Sequence, residues 1–143
     1  MSEIQKVFKE VGKEKVYKKG GILFKEGGLS KHMYFILSGG VRIFKKAGKK
    51  EVVFAEFRKG DFFGEMALLT DEHCRANAQV TRQSKISSID KKTAEALLNT
   101  NPAFTLEIAT EVIKRLQRAD KFLIQAFDMA MTIDEKIVHS TKL

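Results

Sequence analysis

Between residues 14 and 89 apolar stretches are brief, and glycine or lysine interrupts them every few positions. The runs VYKK, ILFKE, MYFIL, VRIFK, EVVFAEF, AQVT and KISSI are separated by Gly20-Gly21, Gly27-Gly28, Gly39-Gly40, Ala47-Gly48 and Lys59-Gly60. Such runs are too short for helices and rich in β-branched and aromatic residues, and seven at this spacing predict an all-β sandwich or barrel, most simply a jelly roll. Four lysines around the Lys45–Lys50 turn make a basic hairpin tip, which also discourages edge-to-edge pairing.

Helices are expected on either side of this β region. Ser2 and Gln5 have capping-box spacing, and Ile4, Val7, Phe8 and Val11 share one helical face. After Ile89, Asp90 is placed to cap a helix over residues 91–98, with Ala94, Leu97 and Leu98 inward. Asn101-Pro102 then starts a longer helix, since proline suits the first helical position. Along it Ala109, Val112, Leu116, Ala119, Leu123, Ala126, Ala130, Ile133 and Ile137 alternate steps of three and four. That pattern is a heptad seam, and its alanines let two backbones approach, so a homodimer through this seam is expected. Ile113, Phe122 and Phe127 lie beside the seam as a flank for packing on the chain's own barrel. Thr132 and Glu135 form a second capping pair, so the long helix is expected to end near Met131, leaving 132–143 as a tail or linker remnant.

The composition sets outer limits. At 143 residues the chain is large enough for one domain with a real core. No apolar run reaches the ~18 residues of a membrane span, and the polar start MSEIQKVFKE does not suit a signal peptide. One cysteine, Cys74, excludes an internal disulfide, and a cytoplasmic protein is expected. The net charge of +8 lies wholly in residues 1–101, with 20 Lys+Arg against 12 Asp+Glu, while 102–143 hold six of each. Charge alone does not separate a solvated surface from a field that attracts an anionic ligand or nucleic acid. His32, His73 and His139 lack metal-ligand spacing, no nucleophile–base constellation is present, and neither a metal nor an enzyme is expected. Cys74 beside Arg75 reads either as a stabilised thiolate or as a small buried thiol.

The chemistry concentrates in GDFFGEMALLTDEHCRANAQV, residues 60–80. Glycine before Glu65 permits a tight entry into one helical turn, whose N–H groups can meet an anion. Arg75 offers a planar fork suited to phosphate oxygens, and an ionised Glu65 can only accept, as from a sugar hydroxyl. A ribose phosphate fits this pair; a Glu65–Arg75 salt bridge pinning the loop is the alternative.

The segment resembles the phosphate-binding cassette of the cyclic nucleotide-binding domain family. The family's Gly-Asp-x-x-Gly-Glu-x-Ala-Leu run is met by Gly60-Asp61-Phe62-Phe63-Gly64-Glu65-Met66-Ala67-Leu68, and its later Arg-x-Ala by Arg75 and Ala76, with Asn77 where alanine is usual. Upstream, GGILFKEGGLSKHMYFILSGGVRIF is similar to the family's first half, and the likeness spans roughly residues 1–130. The resemblance implies that Glu65 accepts from the ribose 2′-hydroxyl and Arg75 pairs with the cyclic phosphate. Backbone N–H groups near Gly64, Met66, Ala67 and Ala76 would assist. It places the base against a wall with Phe54 and Phe63 as candidates, beneath the long helix. KRLQRADKF resembles the segment reaching the base in catabolite-activator-type relatives, which puts Ala119 and Asp120 there and lets Arg115 reach Glu65. Ala76 favours cyclic AMP over cyclic GMP, whereas Asp120 suits either base. A helix-turn-helix follows the long helix in the transcription-factor branch, and the residues after Met131 are too few for one, so DNA binding is not expected. The expected protein is a cyclic nucleotide sensor of residues 1–131. The alternatives are a ligand-free dimerisation module or a truncated regulator.

Overall fold

The computed structural model describes residues 1–141, with side chains for residues 1–133. Glu135, Ile137 and His139 therefore lie outside the described side chains, and 142–143 outside the described residues. The chain divides into two compact units, Met1–Thr105 and Leu106–Leu143.

The first unit opens with α1, Glu3–Val11, where the Ser2 hydroxyl accepts from the Gln5 N–H at 3.1 Å. Ile4, Val7 and Phe8 are buried as the amphipathic pattern predicts, while Val11 is exposed at the helix end. Six antiparallel strands follow: β1 (Lys13–Tyr17), β2 (Ile22–Phe24), β3 (His32–Ala47), β4 (Lys50–Arg58), β5 (Phe62–Phe63) and β6 (Asn77–Asp90). Their order is β1-β6-β3-β4, with β2 also on β6 and β5 also on β3. The architecture is mainly β with flanking helices, a jelly-roll sheet followed by a long C-terminal helix.

The seven expected runs form five strands, because Gly39-Gly40 is a bend rather than a turn and AQVT runs on into KISSI, and Phe62–Phe63 adds a sixth. MYFIL and VRIFK both lie in β3, and the register against β6 shifts between Ile36, Ser38, Gly40 and Val41. Gly39 has φ +104°, and a Cβ there would collide with the Ser84 side chain of β6. Ser84 instead fills that space and accepts from the Gly40 N–H at 3.0 Å. A long strand can thus curve round the roll without giving up its partner. AQVT and KISSI likewise join across this point as β6.

The core gathers Tyr34, Ile36, Val41, Phe63, Ala78, Val80 and Ile86. On the other side Phe8 stacks on Phe35 with ring centroids 5.4 Å apart. Helix α2 (Glu65–Thr70) lies between β5 and β6, and α3 (Lys91–Thr100) starts at Asp90, whose carboxylate accepts from the Thr93 N–H at 2.8 Å. Asn101 then caps α4 (Pro102–Thr141) through the Phe104 N–H at 3.1 Å.

Helix α4 does not end near Met131. Thr132 donates its hydroxyl to the Asp128 carbonyl one turn back, a bond made inside a helix, and no glycine or proline interrupts the segment. Within the second unit the seam residues Leu116 and Leu123 are exposed, and Ile113, Phe122 and Phe127, read from sequence as a covered flank, are exposed as well. No helix among the described residues is long and apolar enough to cross a membrane.

Candidate functional site

The strand β5 sets the start of the cassette. It pairs with β3 so that Phe63 faces Tyr34 and Phe62 faces Phe35. The turn before it is closed by Asp61, whose carboxylate accepts from the Arg58 N–H at 2.9 Å. Straight after β5, Gly64 has φ +88° and stands at the N-cap of α2. A Cβ at Gly64 would lie 3.1 Å from the His32 carbonyl oxygen and 3.3 Å from the Tyr34 ring. Both the left-handed backbone and this close approach require glycine. The consequence is that Glu65, the first residue of α2, turns inward and is only 5% exposed. Met66 next to it is exposed, and Ala67 is half-buried.

The far end of the cassette is built differently. Asp71 ends α2 in the left-handed region that aspartate tolerates, and its carboxylate is ion-paired with Lys91 at the start of α3. The loop beyond is laced to the turn after β2. The Gly27 N–H donates to the Cys74 carbonyl at 2.8 Å, and the Cys74 N–H donates to the Gly28 carbonyl at 2.8 Å. Asn77 then accepts from the Glu26 N–H at 2.9 Å and donates to the Phe44 carbonyl at 3.3 Å. These bonds fix the backbone on either side of Arg75, but its side chain is 75% exposed and ion-paired with Glu72 at 2.9 Å. The Glu65–Arg75 bridge considered from sequence is not formed.

Burial decides the state of two neighbouring groups. It pushes the Tyr34 hydroxyl up to about 12, with smaller contributions from Tyr17 and Cys74. Burial also raises the Cys74 thiol, outweighing its backbone hydrogen bond. Cys74 is therefore a protonated core thiol, and the stabilised thiolate is not what this loop makes.

The two rings expected along the base wall lie in different settings. Phe54 falls where the β3–β4 register slips between Ile43 and Phe44, and as the extra residue of that bulge it is 61% exposed. Phe63 is fully buried and stacks on Tyr34 at 5.2 Å and on Phe57 at 5.6 Å, so it is a core ring. Phe57, which the alternation of β4 turns inward, was missed because the bulge shifts the phase of that strand.

One continuous segment therefore brings together Gly64, Glu65, Met66, Ala67, Arg75 and Ala76. Arg115, Ala119 and Asp120 lie on α4 in the second unit, where Arg115 bonds Glu111 at 3.3 Å and Ala119 and Asp120 are exposed. Glu72 and Asn77 are part of the arrangement although sequence reasoning did not single out the first and treated the second as a departure. The three-residue spacing of Glu72 and Arg75 was the available signal. Among the described residues no group of three or more His, Cys, Asp or Glu is placed to hold a metal ion.

A family model described as the cyclic nucleotide-binding domain matches residues 14–101, the span holding this segment. The cyclic AMP receptor protein of Thermus thermophilus is 29% identical over 107 residues, covering 74% of this chain and 50% of that protein. The cAMP-dependent protein kinase regulatory subunit of Schizosaccharomyces pombe is 35% identical over 83 residues, covering 58% of this chain and 19% of that protein. The crystal structure of the Thermus thermophilus catabolite activator protein matches with a TM-score of 0.75 at 27% identity, covering 85% of this chain and 57% of that one. The chain thus spans about half the length of the first curated relative and about a fifth of the second.

Proposed function

This chain belongs to the cyclic nucleotide-binding domain family, and on that premise we propose that it is a sensor of cyclic AMP, with cyclic GMP as the competing ligand. Glu65 accepts from the ribose 2′-hydroxyl, and Arg75 leaves Glu72 to pair with the cyclic phosphate. N–H groups of Gly64, Met66, Ala67 and Ala76 complete the grip. The ligand's phosphodiester carries one negative charge, which one guanidinium balances. The observation that carries this reading is the placement of Glu65. An acidic side chain is buried at the first position of a helix entered through a left-handed glycine. Such a carboxylate is suited to holding a donor from outside. The relatives named for cyclic AMP binding and for cAMP-dependent regulation support the same ligand.

The protein acts as a regulator rather than an enzyme, within the cytoplasm, over a sensor unit of residues 1–131. The exposed Leu116 and Leu123 support a homodimer in which Ala109, Val112, Leu116, Ala119, Leu123 and Ala126 pair with a second copy. Ligand shifts the helix arrangement only if the two arrangements differ in affinity for it, so occupancy and helix pairing are linked.

The test is a titration with cyclic AMP, cyclic GMP and linear adenosine monophosphate, read by calorimetry and thermal unfolding. Cyclic AMP at a hundred times its Kd should stabilise the fold by about 2.7 kcal/mol, and the linear nucleotide should do far less. No response to either cyclic nucleotide would leave a ligand-free dimerisation module.

A further inference from the structure

The distal turns of α4 carry more apolar surface than a two-helix seam can cover. Take Leu116 and Leu123 as the a positions of a heptad, with Ala119 and Ala126 at d. In two-stranded coiled coils the flanking e and g positions are normally charged and pair between the helices. The proximal heptad follows that rule, with Arg115 at g and Asp120 at e. In a parallel pair these two meet across the seam. The next heptad breaks it: Phe122 stands at g, Phe127 at e, and Met129 at the following g. These three are 71%, 64% and 68% exposed. Between residues 122 and 133 the polar residues are Gln125, Asp128 and Thr132, which fall on one narrow stripe. A helix apolar around most of its circumference buries most of its circumference.

The surplus lies on both sides of the seam, and this identifies the occupant. A single foreign helix would cover one edge. In a four-helix bundle each helix touches two neighbours, so g and e are both buried along with a and d. Copies of the same helix supply that cover symmetrically, and alanine at d lets the backbones draw close enough for the rings to interlock.

We infer that two α4 pairs join through the turns around Phe122, Phe127 and Met129, so that the protein assembles as four copies. The proximal turns remain two-stranded and the distal turns are four-stranded. This rests on the self-association through the α4 seam proposed above, and the mass of the assembly tests it with or without nucleotide.

Sedimentation equilibrium of the intact chain at micromolar concentration tests it. The expected mass is four times the 16.2 kDa chain. The double variant Phe122→Lys/Phe127→Glu removes the apolar edges yet leaves opposite charges that can pair across a two-stranded seam, and it should halve the mass. Circular dichroism checks that its helix content persists, and cyclic AMP calorimetry checks the roll separately. A wild-type mass of one or two chains would overturn the inference, as would a double variant still sedimenting as four.

Discussion

The two ends of the cassette differ in how firmly the fold holds them. At one end Glu65 is fixed before any ligand arrives, because Gly64 presses its backbone against His32 and Tyr34 and turns the carboxylate inward. At the other end the backbone is tied down but the Arg75 guanidinium stands in solvent, holding only Glu72. A surface ion pair of this kind contributes about 0–1 kcal/mol, so exchanging Glu72 for a phosphate meets little resistance. If Glu65 and Arg75 hold ribose and phosphate as proposed, hydroxyl recognition is built into the resting roll and charge recognition completes itself on binding. On the proposed reading, ligand affinity should depend mainly on Arg75 and fold stability on the Gly64 end.

Removing the exposed guanidinium should cost the most affinity. Arg75→Ala should weaken cyclic AMP binding by about 3 kcal/mol, roughly a hundredfold in Kd, since a charge-assisted pair with the phosphate is lost. Unliganded stability should stay within about 0.5 kcal/mol of the wild type, as for most exposed substitutions. Calorimetry and urea unfolding measure the two quantities. An unchanged Kd would remove Arg75 from the site.

Breaking the rigid end should give the opposite pattern. Gly64→Ala forces a left-handed backbone on an L-residue and brings its methyl group within 3.1 Å of the His32 carbonyl oxygen. The left-handed backbone alone costs about 1–2 kcal/mol, and urea unfolding should show at least that loss. Affinity falls as well, because Glu65 is displaced with the turn. A variant as stable as the wild type would mean that the turn is less constrained than Gly64 makes it.

The rigid end also has a titration of its own. Tyr34, which packs against Gly64, is raised from 10.0 to about 12 mainly by burial, and burial raises Tyr17 as well. At the Arg75 end, burial likewise raises Cys74 from 9.0. Groups raised in the folded state stay neutral there while the unfolded chain ionises. Their contribution to stability is therefore complete below about pH 9 and is lost as pH rises through the folded values. Absorbance at 295 nm should show one tyrosine titrating near 12 in the folded protein. Two tyrosines titrating together near 10 would show that the Tyr34 hydroxyl is not desolvated.

Much of the fold was legible because burial follows simple periods. The α1 face, the Asp90 and Asn101 caps and most strand positions all come from local pattern. The exceptions among the strands share one cause: bulges change the count. Gly39 bends β3 where a turn was expected, and the slip at Ile43/Phe44 puts Phe54 outside and Phe57 inside. A period of two gives no warning of a residue inserted by tertiary pairing. Thr132 misled for another reason, since a hydroxyl that can cap a helix can equally bond back within one. At the site, chemistry suggested an acceptor and an anion clamp but left a Glu65–Arg75 bridge equally open. The structure removes that bridge by burying one partner and giving the other to Glu72. Asn77 looked like a flaw in the motif, yet its side chain ties the Glu26 backbone to the strand beside the cassette. Its role depends on residues 51 and 33 positions away, which no local pattern contains.

Substitution of Glu72 should have a slighter effect, because both proposed binding groups stay in place. Glu72 is itself half-exposed and ion-paired with Arg75, so on the proposed reading its carboxylate competes with the phosphate. Glu72→Ala should therefore raise cyclic AMP affinity by about 0.2–1 kcal/mol, at most roughly fivefold. The gain should shrink as salt screens the surface pair in the wild type, while a direct contact between Glu72 and ligand would make affinity fall instead. Calorimetry at two ionic strengths separates these outcomes. A weaker Kd in the variant would mean that Glu72 positions Arg75 for the phosphate, and the Arg75 end would then be as preorganised as the Glu65 end.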